Sequence, residues 1–441
     1  MAKSMIQGDK EKIASKLCVV SWNVTKMCNL KCAHCYLDAD FLEGRIKDEL
    51  TTEEGFKLID DIASLNPRAI MILTGGEPLL REDIFDLIEH ADKKGLMPVL
   101  GTNGTTLASG LINSLLNKGV KGFGISLDSI TPDIHDSFRG VKGAWKGAVE
   151  GIETLKREGV EFQIQTTVTK ENYDEIPAII EYSAKMGCRV FNLFFLVCTG
   201  RGHDLTDITP KQYEDMLATL VDLQEKMYGG SNGSGHPSGN DRMVIKAKCA
   251  PHFKRIAYQK NPDSLVLKGY RKECLAGTKY CRVTPEGDVT ACPYMNLKAG
   301  NIREDDFINI WENTSVFQDM RRLAFKGRCG ICEFRLICGG CRARAYATTG
   351  DYMDEDPWCS YIPFEGKEPV TIAEETGKYW REEKCRLAWT TGAKERLSRI
   401  PFFARSMVIE EVEKYAMGAG IKDVTEETLK IVRGKAPHMR Q

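Results

Sequence analysis

Cys28, Cys32 and Cys35 lie within the ten residues M-C-N-L-K-C-A-H-C-Y, from Met27 to Tyr36. Their C-x3-C-x2-C spacing offers three thiolates where a structural metal site takes four protein ligands. Three thiolates suit three irons of a [4Fe–4S] cluster and leave the fourth iron open to a small molecule. The alternatives are zinc completed by His34 or Asp38, or three buried thiols. Zinc knuckles pair two C-x2-C units, and no partner pair lies nearby.

A second group of cysteines runs from Cys274 to Cys359. C-L-A-G-T-K-Y-C-R-V-T-P-E-G-D-V-T-A-C-P-Y holds Cys274, Cys281 and Cys292. G-R-C-G-I-C-E-F-R-L-I-C-G-G-C holds Cys329, Cys332, Cys338 and Cys341, and D-P-W-C-S-Y adds Cys359. Eight thiolates satisfy two four-thiolate [4Fe–4S] clusters; zinc in a treble-clef-like site is the alternative. Of the sixteen cysteines, Cys18, Cys188, Cys198 and Cys385 sit in apolar or helical contexts that suit buried thiols. Cys249, in K-C-A-P-H-F-K-R near His252, reads either as packing or as a ligand.

These side chains need a frame. From Leu17 to about Leu196, β-rich runs alternate with amphipathic stretches. The strand candidates are Cys18–Val24, Ala69–Leu73, Met97–Gly101, Gly122–Leu127, Glu161–Val168 and Val190–Leu196. Ile84–Lys94 and Tyr173–Met186 read as helices between them, several of the helical stretches ending in a glycine that tolerates the left-handed conformation. Repetition of strand and helix predicts an α/β fold with a parallel sheet, here a partial (β/α)6 TIM-like barrel over 17–227. In such folds chemistry collects at the C-terminal ends of the strands, where the first cysteine trio stands. Residues 228–248, rich in Gly and Ser, read as a flexible linker. A cysteine-rich auxiliary domain is expected over 249–364, held together more by its cofactors than by a large apolar core. A small α-helical domain is expected over 376–441, broken at I-P-F-F (Ile400–Phe403) and resumed at the capped start V-T-E-E-T-L.

With 28% charged residues but a formal charge of −1, the chain lacks the basic face of a dedicated nucleic-acid binder. No stretch approaches the ~20 apolar residues that span a bilayer, and the N-terminal residues lack an apolar signal core. A cytoplasmic protein is expected, and clustered cysteines there point to metal or redox work rather than disulfides.

The motif C-N-L-K-C-A-H-C-Y resembles the signature of the radical S-adenosylmethionine (SAM) superfamily, with Tyr36 as its aromatic residue. T-G-G-E-P (Thr74–Pro78), T-N-G (Thr102–Gly104) and S-L-D-S (Ser126–Ser129) resemble its SAM-pocket segments, each at a strand's C-terminal end. The resemblance implies SAM and a [4Fe–4S] cluster as cofactors, and a 5′-deoxyadenosyl radical that takes hydrogen from substrate. It makes Cys28, Cys32 and Cys35 cluster ligands. It makes Tyr36, Gly75, Gly76, Glu77, Pro78, Thr102, Asn103, Ser126, Asp128 and Arg139 SAM-pocket residues, with His135 in support. The second group resembles the auxiliary-cluster domain called SPASM. By that analogy Cys274, Cys281, Cys292 and Cys341 hold one [4Fe–4S] cluster and Cys329, Cys332, Cys338 and Cys359 another. Only Gly339 and Gly340 precede Cys341 where the family has three residues, and Cys281 as a non-ligand would leave the first cluster incomplete.

L-V-C-T-G-R-G (Leu196–Gly202) should face the pocket, where Arg201 either grips a substrate carboxylate or is a solvated loop residue. That segment, together with C-G-G-C-R-A-R-A-Y, is similar to the enzymes that finish heme from siroheme and to their heme d1 relatives. The C-terminal helical segment resembles the small domain of dark-operative protochlorophyllide reductase. These likenesses imply a tetrapyrrole substrate, oxidative decarboxylation of propionates (iron-coproporphyrin III to heme b), and a low-potential donor such as ferredoxin or flavodoxin. The other readings are a peptide or protein maturase, a maturase for a metallopterin enzyme, and an electron carrier without its own substrate. A carrier has no use for a SAM pocket, and about sixteen residues before the first strand are too few for a winged-helix peptide-recognition domain.

Overall fold

A ten-stranded sheet organises the chain. The structure, a computed structural model, describes residues 13–41, 48–197, 199, 201, 208–229, 243–267, 272–364, 366–372, 385–398 and 402–435. Six strands follow the βα repeat: β1 (Val19–Thr25), β2 (Ile70–Gly75), β3 (Met97–Thr102), β4 (Phe123–Ser126), β5 (Phe162–Val168) and β6 (Val190–Phe195). They lie side by side in chain order, every neighbouring pair parallel. V-V-S-W-N-V-T and V-F-N-L-F-F are buried almost throughout, as strands with both faces covered must be. Between β1 and β2, Thr51 and Glu54 form a reciprocal capping box that starts the helix Thr52–Leu65. Every strand end therefore opens on the same side, and the loops that follow share one rim.

Two expectations about domain boundaries are corrected. The linker expected over 228–248 contains β7 (Val244–Lys248), which pairs parallel with β6 from Val190↔Val244 to Phe194↔Lys248. V-I-K-A-K has the β-branched residues of a strand, and the Gly/Ser stretch before it (230–242) lies outside the described residues. The auxiliary region is likewise no separate body held mainly by cofactors. Its strand β8 (Tyr280–Val283) pairs parallel with β1 and carries β9 (Asp288–Thr290) and β10 (Lys298–Asn301) as antiparallel strands on that edge. Val283, Val289, Met295, Phe307, Trp311 and Phe317 belong to the same apolar core as the barrel.

The C-terminal unit has a small core of its own around Trp389, Leu397, Val412, Val424 and Val432. There the Trp389 indole N–H donates to a Glu413 carboxylate oxygen at 2.9 Å, so the buried acid is partnered. The Thr425 hydroxyl accepts from the Thr428 amide at 3.3 Å and caps the helix Glu426–Lys435, as V-T-E-E-T-L suggests. Among the described residues no helix is long and apolar enough to cross a membrane.

Candidate functional site

Directly after β1 the chain turns through the first cysteine trio. The loop hangs on the helix Pro132–Arg139: the amides of Lys31 and Ala33 donate to the carbonyls of Arg139 and Phe138 at 3.0 and 3.1 Å. All three sulfurs receive hydrogen bonds. The Leu30 amide reaches Cys28 Sγ at 3.4 Å, the Ala39 amide reaches Cys35 Sγ at 3.4 Å, and Arg139 Nη1 reaches Cys32 Sγ at 3.7 Å. Donors aimed at sulfur favour thiolate and bound metal. Without a metal, burial pushes the Cys28 thiol up to about 12, so cluster insertion must displace its proton. Among the described residues no three His, Cys, Asp or Glu side chains close around a single ion. His34 is instead stacked on Phe138, ring centroids 4.1 Å apart. The thiols line a cavity, as a multi-iron cluster needs.

Arg139 is itself held. Its Nη2 and Nε meet Asp128 Oδ2 at 2.6 and 2.7 Å, both residues being buried. Burial opposes the Asp128 charge, but the guanidinium wins and holds that carboxyl below its usual range. His135 Nδ1 accepts from the Asp128 amide at 3.1 Å, and burial lowers its pKa to about 4, so the ring stays neutral. Asp128 and His135 thus act through Arg139, not on a ligand. Arg201 lines the cavity, but its Nε and Nη1 donate to the carbonyls of Cys32 and Ala39 at 3.2 and 3.0 Å. A guanidinium committed to the cysteine loop does not present a fork to a substrate carboxylate, and that expectation is corrected.

The strand ends complete this wall. Gly75, with φ of 144°, and Gly76 pass so close to the trio's loop that a Cβ on Gly76 would sit 2.2 Å from the Met27 carbonyl oxygen. Only glycine allows that approach. Thr102, Asn103 and Ser126 line the cavity, and Asn103 Nδ2 donates to Asn29 Oδ1 at 2.7 Å, tying β3's end to the cysteine loop. Glu77 and Pro78 do not line it. Pro78 begins a buried 3-10 turn, and the Glu77 carboxylate accepts from Thr102 Oγ1 (2.7 Å) and from the amides of Asn103 (2.9 Å) and Leu79 (3.3 Å). Glu77 therefore bolts the ends of β2 and β3 together.

Burial pushes the Glu77 carboxyl up to about 7 against those three hydrogen bonds. A folded-state pKa above the unfolded value gives stability that is complete below the unfolded pKa and lost as pH rises through the folded one. Wild type should lose stability relative to Glu77→Gln between about pH 4.5 and 7, by at most about 1.4 kcal/mol per pH unit. Denaturant unfolding of both proteins at pH 5 and 8 checks this, and a constant difference between them refutes it.

The auxiliary cysteines share this cavity. Cys249, Cys274, Cys292 and Cys341 line the same cleft as Cys28, Cys32 and Cys35. Burial, then the neighbouring thiols of Cys341, Cys292 and Cys274, holds Cys249 well above the ordinary thiol range. Cys281 is absent from this group. It points from β8 into the apolar core, fully buried, and beyond burial its one resolved charged neighbour is Arg321. The assignment of Cys281 to a cluster is thereby corrected, and the fourth auxiliary thiol that lines the cleft is that of Cys249. The signal lies in V-I-K-A-K, a strand that Cys249 directly follows, at the strand-end position where the first trio also stands. Cys329, Cys332, Cys338 and Cys359 line a separate cavity of about 370 Å³, as the spacing suggests. Their sulfurs too receive donors: the Phe334 amide on Cys332 and the Gly340 amide on Cys338, both at 3.4 Å, and Arg342 Nη2 on Cys329 at 3.7 Å. Tyr36 and Tyr294, next to one set and the other, meet with ring centroids 5.2 Å apart.

Comparison with known proteins identifies the family. The model of the radical SAM superfamily matches residues 22–183 and an iron–sulfur cluster-binding domain (SPASM) matches 274–341. The model of the proto-chlorophyllide reductase 57 kD subunit matches 389–433. The chain is 40% identical over 354 residues to an AdoMet-dependent heme synthase of Methanosarcina barkeri, covering 78% of this chain and 97% of that one. It is 30% identical to an Fe-coproporphyrin III synthase of the same organism, covering 77% and 85%. Streptococcus suis SuiB bound to S-adenosylmethionine shares the fold, with a TM-score of 0.61 at 16% identity over 79% of this chain and 78% of that one. S-adenosyl-L-methionine and iron–sulfur clusters are thus the cofactors of this chain. With a radical-SAM barrel, a SPASM region and that relative matched almost end to end, the chain belongs to the radical SAM superfamily, in the SPASM-bearing group that includes the AdoMet-dependent heme synthases.

Proposed function

We propose that this enzyme oxidatively decarboxylates two propionates of iron-coproporphyrin III to vinyl groups, yielding heme b. The observation that carries the reading is the single cleft walled by Cys28, Cys32 and Cys35 on one side and by Cys249, Cys274, Cys292 and Cys341 on the other. When bound, the cofactors supply a 5′-deoxyadenosyl radical and an acceptor for the electron released with carbon dioxide. Each propionate gives up one hydrogen atom, carbon dioxide and one electron, so substrate must lie where both walls reach it.

The chain's own residues divide the work. Cys28, Cys32 and Cys35 hold the cluster that leaves one iron open, and Arg139 keeps positive charge beside Cys32. Gly75, Gly76, Thr102, Asn103, Ser126 and Tyr36 shape the SAM side of the wall. Cys249, Cys274, Cys292 and Cys341 hold one auxiliary cluster, and Cys329, Cys332, Cys338 and Cys359 a second. Arg201 fixes the cysteine loop. Likeness of the C-terminal unit to a proto-chlorophyllide reductase subunit adds a second link to tetrapyrroles. The enzyme is cytoplasmic in this reading and takes its electrons from a ferredoxin or flavodoxin.

Anaerobic turnover with iron-coproporphyrin III, SAM and dithionite tests the proposal. Mass spectrometry should show two successive losses of 46 Da, carbon dioxide plus two hydrogens at about 44 and 2 Da, each matched to one 5′-deoxyadenosine. Uncoupled SAM cleavage with unchanged porphyrin would favour the maturase reading.

A further inference from the structure

Among the described residues four cations line the large cleft: Arg139, Arg201, Lys248 and Arg342. Three of them are committed. Arg139 is paired with Asp128, Arg201 with the carbonyls of Cys32 and Ala39, and Arg342 with the carbonyls of Tyr352 and Asp354. Among the described residues the cleft's one carboxylate, Glu273, acts on Lys246, whose positive charge it favours. The Lys248 side chain makes no hydrogen bond and no ion pair among the described residues, and the charge of Lys246 beside it is of like sign. It is half-buried at the C-terminal end of β7, opposite Phe194 of β6 and next to Cys249. A half-buried ammonium that lines the cleft with no protein partner is available to pair with an anion placed there.

We infer that Lys248 is an anchor for a carboxylate of the substrate, and specifically for a propionate that the reaction leaves intact. The inference rests on the tetrapyrrole reading above and adds a carboxylate subsite to it. Iron-coproporphyrin III bears four propionates and two survive, so the enzyme must grip the macrocycle by groups that do not react. Ion pairing stabilises a carboxylate in the ground state and so opposes its loss as carbon dioxide. A lysine therefore belongs on a surviving propionate, holding the ring in one rotational setting so that the reacting arms meet the SAM wall. Because the anchored group persists, product and substrate should both depend on Lys248.

Equilibrium binding to the anaerobic, cluster-loaded enzyme tests this through the porphyrin Soret band, without turnover. Lys248→Gln should weaken iron-coproporphyrin III and heme b by about tenfold each, and Lys248→Arg should restore most of the affinity. The tetramethyl ester of iron-coproporphyrin III carries no carboxylate, and its affinity should be the same for wild type and Lys248→Gln. Equal affinity of wild type and Lys248→Gln for iron-coproporphyrin III overturns the anchor and leaves the proposed function standing. Equal weakening of the ester overturns it too, since the loss is then one of shape and not of charge. Weakening of substrate alone, with heme b unaffected, moves Lys248 to a reacting propionate and overturns the assignment made here. Failure of wild type to bind iron-coproporphyrin III at all removes both the anchor and the tetrapyrrole reading.

Discussion

Cys28→Ala should release no 5′-deoxyadenosine above background, a fall of at least about 10³-fold, because no barrier lowering remains once radical generation is lost. Iron should fall by up to about four atoms per chain as the open-cornered cluster fails to assemble. Cys28 is buried, and its sulfur accepts the Leu30 amide, so alanine also leaves that donor unanswered. The global fold should persist, since the core that carries the sheet lies elsewhere in the apolar cluster of Val20, Trp22, Leu73 and Ile125. Iron analysis, circular dichroism and chromatography of the nucleoside product check the three parts. Full nucleoside output from the variant would sink the radical reading.

Cys249→Ala and Cys281→Ala should behave in opposite ways. Cys249→Ala removes one of four thiols on the auxiliary wall. It should abolish, or change in type, the paramagnetic signal of one reduced cluster. Vinyl formation should be lost while SAM cleavage continues uncoupled. Cys281→Ala shortens a side chain packed in the core, against which β8 registers Cys281 opposite Val20. It should keep every cluster signal and cost about 1–2 kcal/mol of stability, the range for a small buried deletion. Electron paramagnetic resonance of both dithionite-reduced variants separates the cases. Loss of a cluster in Cys281→Ala with retention in Cys249→Ala would reverse the ligand assignment.

The placement of Glu77 illustrates how a motif and its chemistry part company. G-G-E-P marks the right strand end, yet the glutamate turns inward to collect donors from Thr102, Asn103 and Leu79, while the glycines face the cleft. Arg201 shows the same division. Its position after the sixth strand was legible, but the destination of its guanidinium depended on the carbonyls of Cys32 and Ala39, far away in sequence.

What could be read from the residues alone was local and periodic. The C-x3-C-x2-C trio, the strand runs within a residue or two of their observed ends, and the run from Cys329 to Cys341 all depend on neighbours close along the chain. Such patterns survive without three-dimensional knowledge because spacing within a loop or strand already sets which groups can meet. Folding settled what depends on distant partners. Cys249 and Cys281 differ little in local context, but one ends an edge strand at the rim of the cleft and the other turns into the core between β1 and the outer hairpin. A strand alternates its side chains between two faces, and which face is cavity and which is core follows from the neighbouring strands it pairs with, which no stretch of its own residues records.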